Sequence, residues 1–92
     1  MYFVYLLLCE GGTFYTGSTN DLQKRFLTHL SGKGGKYTRS HKPVKIVYSE
    51  EFFSKSDALK REAEIKSWSR AKKIKDLNLV AGMGSEPMTS AL

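Results

Sequence analysis

The sequence predicts an α+β domain, a small three-stranded sheet flanked by helices in the order β-β-α-β-α-α. Three observations carry the prediction. An eight-residue apolar run opens the chain, a Gly-Gly turn sends it back into a short aromatic strand, and two later segments carry apolar residues at helical spacing. With 92 residues there is room for one domain and one modest core.

Residues 2–9 contain no polar side chain apart from the hydroxyls of Tyr2 and Tyr5. A strand apolar on both faces belongs in the centre of its sheet. Glu10, Gly11 and Gly12 supply the turn, and 13–16 return as the second strand of a hairpin. Phe3, Tyr5 and Leu7 share one face. Whether Tyr5 and Tyr15 face the same side depends on the register.

Gly17 permits a sharp turn from that strand into the first helix, with Asn20 as N-cap and Gln23 at the capping-box position. Leu22, Phe26 and Leu30 recur every four residues and form the apolar face. Arg25 and His29 lie one turn apart on an adjoining ridge. A phenol (Tyr15), a guanidinium and an imidazole fixed on one unit suggest phosphate chemistry.

Residues 31–43 are dominated by glycine, lysine and serine without apolar periodicity, and they read as a loop. Its Lys33, Lys36, Arg39 and Lys42 surround Tyr37: charges for phosphates, a ring for a base or sugar. Residues 44–48 form the third strand, with Pro43 at its start. Ser54 or Ser56 caps the second helix, and Asp57 lies in its first turn. Ala58, Leu59, Glu62, Ala63 and Lys66 share one face, which puts a carboxylate in a stripe expected to face the core. Such a group is costly unless it is paired or ligates a metal. Ser69 can cap a third, short helix to Leu77 whose Arg70, Lys72, Lys73 and Lys75 make a second basic cluster. The folded domain is expected over 1–80 and a flexible tail over 81–92, where Gly, Ser, Pro and Thr leave no core pattern.

Composition narrows the function. A net charge of +6 and a pI near 9.6 favour polyanions, nucleic acid first. The single Cys9 excludes an internal disulfide framework and most cysteine metal sites, and its apolar setting makes it a small buried hydrophobe. The apolar run is too short to cross a bilayer and lacks a signal peptide's flanks, so no membrane role is expected and the cytoplasm is the expected location.

Taken together, these residues resemble the GIY-YIG nuclease superfamily. Phe3-Val4-Tyr5 stands for its first tripeptide and Tyr15-Thr16-Gly17 for its second. Arg25 and His29 stand for the arginine and histidine of the first helix, and Glu62 for the acid of the later one. The likeness covers about residues 2–78 and is closest to the small bacterial group labelled UPF0213, which shares Lys36-Tyr37-Thr38-Arg39 and the segment from Ile65 to Arg70. Phe3, Val4 and Thr16 depart from the two tripeptides, and no appended specificity domain is expected.

The resemblance implies hydrolysis of phosphodiester bonds, in DNA more than RNA, with one Mg²⁺ or Mn²⁺ held by Glu62. Repair or processing of DNA is the implied setting, and a protein partner could supply specificity. Arg25 would hold a non-bridging oxygen, Tyr5 or Tyr15 would orient or deprotonate water, and His29 is the alternative base. The rival expectation is a non-catalytic nucleic-acid-binding module, or a subunit of a repair complex, gripping through Lys33, Lys36, Tyr37, Arg39, Lys42, Arg70, Lys72 and Lys73.

Overall fold

The computed structural model describes residues 1–79. The expected tail, 81–92, lies outside the described residues. Three strands, β1 (Tyr2–Cys9), β2 (Phe14–Thr19) and β3 (Pro43–Phe52), form one sheet with β1 in the centre and both neighbours antiparallel to it. The helices are α1 (Leu22–Leu30), α2 (Lys36–Ser40), α3 (Lys55–Lys66) and α4 (Arg70–Asp76).

The period of two along β1 divides the core into two layers. Val4 and Leu6 point to one face and pack with Ala58 and Ile65 of α3 and with Leu77. Tyr5, Leu7 and Cys9 point to the other, beneath Leu22 and Phe26 of α1. The central, doubly covered strand expected from the apolar run is present, and Cys9 is fully buried in it.

Several local expectations are corrected. Gly17 is not a turn. It lies within β2 directly opposite Tyr5, and the strand runs on to Thr19. What requires glycine there is clearance, since a Cβ would sit 2.5 Å from Tyr5 Oη and 3.1 Å from Tyr15 Cε2. With the strand extended, Asp21 rather than Asn20 caps α1, its Oδ1 accepting from the Lys24 N–H at 3.1 Å. Leu30, expected on the buried face, is exposed.

The segment 31–43 is not all loop. Lys36–Ser40 closes into one short helix. Five residues are too few to display a 3.6-residue period, so its pattern was invisible. On α3, Ser54 caps as expected, but Leu59 and Ala63 face solvent. The inward stripe is Ala58 and Ile65, with Arg61 and Glu62 between them. Arg61 reaches toward β3, where it pairs with Glu50 at 3.0 Å, and Glu62 reaches toward β2. Among the described residues no helix is long and apolar enough to cross a membrane.

Candidate active site

The register settles the tyrosine question. Tyr5 pairs with Gly17 and Leu7 with Tyr15, which places both phenols diagonally on one face with ring centroids 6.4 Å apart. α1 crosses that face and delivers His29 between them, its imidazole edge-on to Tyr15 at 4.9 Å. His29 is 1% exposed, and both ring nitrogens are engaged. Nε2 lies 2.9 Å from Tyr5 Oη, and Nδ1 lies 2.7 Å from Thr38 Oγ1 of α2.

This environment fixes the ionisation of both rings. Burial, reinforced by the nearby Arg25 guanidinium, pulls the His29 pKa below the ordinary histidine value, so the ring is neutral at pH 7. Burial pushes the Tyr5 phenol well above its usual range. Tyr15 and Glu62 act in the same direction, and Arg25 opposes them. Tyr5 is therefore a firmly protonated phenol, and His29 an interior ring with no face to bulk water.

Arg25, one turn before His29, is exposed. It stands where two open clefts meet, both lined by Thr19 and Asn20. One, of about 210 Å³, continues along α1 past Lys24 and Thr28. The other, of about 240 Å³, passes over β2 to Tyr2, Ser18 and Lys55. Ser18 ties this cleft to α3, because its hydroxyl donates to Glu62 Oε1 at 2.6 Å. The same carboxylate pairs through Oε2 with Lys66 at 2.7 Å. The edge strand β2 thus carries Tyr15, holds clearance for Tyr5 at Gly17, and anchors Glu62 through Ser18.

Among the described residues no three of His, Cys, Asp and Glu converge on a metal position. Glu62 offers one carboxylate, its side chain 15% exposed, while its partner Lys66 is half exposed and free to swing into water. Such a donor set fits a hard divalent ion that keeps most of its water and takes its other oxygens from a phosphate.

The basic residues divide into two groups. Lys33, Lys36, Arg39 and Lys42 are all exposed on and around α2, and Tyr37 stacks between Tyr15 at 5.9 Å and His41 at 4.4 Å. Arg70 and Lys73 line a cleft with Thr13, Phe14 and Tyr37, where Arg70 lies over the Phe14 ring and donates to the Gly12 carbonyl at 2.9 Å. Lys72 departs from them. It lies outside that cleft, where it pairs with Asp76 and sits 4.7 Å over Trp68. Thr38 and Ser18, which complete the polar contacts of His29 and Glu62, were not foreseen. Each is one hydroxyl in a polar stretch, and only the register and the docking of α2 reveal its partner.

Residues 1–75 match the family model described as the GIY-YIG catalytic domain. A UPF0213 protein of Staphylococcus saprophyticus is 49% identical over 74 residues, covering 80% of this chain and 90% of that protein. One from Cupriavidus necator is 51% identical over 72 residues, covering 78% of each. The solution NMR structure of a UPF0213 protein from Bacillus halodurans is similar with a TM-score of 0.55 and 43% identity, covering 89% of this chain and 88% of that one.

Proposed function

Because the chain belongs to the GIY-YIG catalytic-domain family, alongside its UPF0213 proteins, we propose that it is a metal-dependent nuclease-like domain that hydrolyses phosphodiester bonds in DNA. The proposal extends to repair or processing of DNA in the cytoplasm, with any selectivity for particular sites supplied by a protein partner. The observation that carries it is the grouping around β2. Tyr15 and the hydrogen-bonded Tyr5–His29 pair flank one side of the strand, Arg25 stands at its end, and Glu62 is bound from the far side through Ser18.

Each side chain has a definite task in that reading. The exposed Arg25 fork takes a non-bridging oxygen of the scissile phosphate, a geometry a lysine would not reproduce. Tyr15, only part buried on the edge strand, orients the attacking water. Tyr5, held by His29 and firmly protonated, donates a hydrogen bond and is not the base of the resting protein. Glu62 would hold Mg²⁺ or Mn²⁺, which when bound polarises the phosphate and offsets charge on the leaving oxygen. The exposed cations of α2, with Arg70 and Lys73, take the flanking phosphates.

The rival reading, a binding module, draws on the ion pair that Glu62 already makes with Lys66. Purified protein incubated with branched, nicked and single-stranded DNA, in Mg²⁺, Mn²⁺ or EDTA, separates the two. Cleavage that needs metal and disappears in EDTA is expected. Salt-sensitive binding to all substrates with no cleavage in either metal would establish the module instead.

A further inference from the structure

Thr38 lies in the short helix α2, 2% exposed, and the sole hydrogen-bond partner of its hydroxyl among the described residues is Nδ1 of His29, at 2.7 Å. The loop before the helix is pressed onto the same ring. A Cβ at Gly34 would overlap the His29 imidazole, so this approach is open only to glycine. His29 in turn reaches Tyr5 Oη at 2.9 Å. The result is a linear chain of three groups, Thr38–His29–Tyr5, running from the interior of α2 to the face of the sheet.

The protons of this chain can be counted. Hydroxyl, neutral imidazole and phenol bring one exchangeable proton each, and two hydrogen bonds use two of them. One proton is left over, at one end or the other. If Thr38 accepts from Nδ1–H, its own proton is left in the interior with no acceptor, which a buried donor does not tolerate cheaply. If Thr38 donates, the spare proton is that of Tyr5, itself 2% exposed, whose Oη fills the clearance at Gly17 and feels both Arg25 and the Glu62 carboxylate. The two ends are equally buried, but only the Tyr5 end lies in the field of a carboxylate, which favours an O–H turned toward it.

We propose that Thr38 is a positioning residue: its buried hydroxyl donates to Nδ1, holds His29 as the Nε2–H tautomer, and thereby makes the imidazole donate to Tyr5 Oη, turning the phenol's own proton toward the site. The three groups move no proton among themselves in the resting protein. They aim one. The burial that keeps His29 neutral and Tyr5 protonated is consistent with this assignment, since a charged ring or a phenolate would change the count. The catalytic consequence rests on the nuclease reading above, whereas the tautomer does not.

The test uses the full chain with ¹⁵N-labelled imidazoles. There are two histidines, so a His41→Gln variant assigns the remaining signals to His29. Long-range ¹H–¹⁵N correlation at pH 7 should show His29 protonated at Nε2 and bare at Nδ1. Thr38→Val, close in shape but lacking the hydroxyl, should shift the ring toward Nδ1–H, and Thr38→Ser should restore the parent pattern. With a cleavable substrate, Thr38→Val should lower kcat about tenfold or more, a share of the ~10²–10⁴ that positioned proton-transfer groups supply, with KM nearly unchanged and recovery in Thr38→Ser.

An Nδ1–H ring in the parent, or a pattern and kcat indifferent to Thr38→Val, overturns the proposal. Should Thr38→Val not fold, the parent's tautomer and the Thr38→Ser spectrum still decide it. Absence of any cleavage by the parent would count against the nuclease reading and leave the spectra to judge Thr38.

Discussion

At Glu62 the two carboxylate oxygens have different partners, and the difference sets what a substitution will do. Oε1 accepts from Ser18 and Oε2 faces Lys66, whose side chain is 52% exposed. Glu62→Gln keeps an oxygen for Ser18 and releases a lysine that water can solvate. Its unfolding free energy should therefore stay within about 1 kcal/mol of the parent, the range of exposed ion pairs. Cleavage should be abolished, and Mn²⁺ should raise the melting midpoint of the parent but not of the variant. Calorimetry of both proteins with and without Mn²⁺ measures this, and a mutant that melts far earlier beside a metal-indifferent parent would refute the metal role. Arg25 poses the complementary case, an exposed side chain between two clefts with no carboxylate partner among the described residues. Arg25→Lys keeps the charge and loses the fork, so kcat/KM should fall by one to two orders of magnitude, at about 1.4 kcal/mol per factor of ten, with an unchanged melting curve. Full activity in this variant would remove Arg25 from the scissile phosphate.

Among the elements, α2 shows where sequence patterns stop being informative. β1 was legible because eight apolar residues admit few other readings, and α4 because Ser69 announces its start. α2 offers neither signal. Gly32, Gly34 and Gly35 crowd its approach, and the one inward side chain is a threonine. The same limit hid the true role of Gly17, whose clearance for Tyr5 depends on a register that one strand cannot specify alone. The residue types of the candidate site were readable, while the hydroxyls that hold them were not, because partners 9 and 44 positions apart leave no local pattern. With Thr38 inside and Lys36 and Arg39 outside, α2 presents its charges on a fixed surface and not on a floppy loop. Replacing Lys36 and Arg39 together by alanine should weaken DNA binding alike for all sequences. It should also reduce the log–log salt slope by roughly 0.9 per lost phosphate contact on duplex DNA. Titrations by fluorescence anisotropy at several salt concentrations would show it, and an unchanged slope would place the contact surface elsewhere.

For the whole molecule, one sheet with a helix layer on each face leaves one imidazole, His29, sealed in the interior on the α1 side among the described residues. Global stability must follow its protonation. The folded chain lowers the His29 pKa through burial and then through Arg25, so between the folded and unfolded values the unfolded chain binds the extra proton. Stability therefore rises with pH across that window. The contribution is fully present above the unfolded histidine value near ~6.5 and is lost as pH falls toward the folded one, with a slope of at most about 1.4 kcal/mol per pH unit. His41 is exposed and stacked on Tyr37, and His41→Gln is the control for loss of an imidazole outside the core. Urea unfolding of the parent, His29→Gln and His41→Gln between pH 7.5 and 5 isolates the effect. The parent and His41→Gln should lose stability together as the pH drops, whereas His29→Gln, less stable at pH 7 because its polar partners Tyr5 and Thr38 are disturbed, should be nearly flat over the same range. Parallel curves for all three proteins would mean that the imidazole takes up its proton without opening the contacts on either side, and that the layer between α1 and the sheet is not sealed.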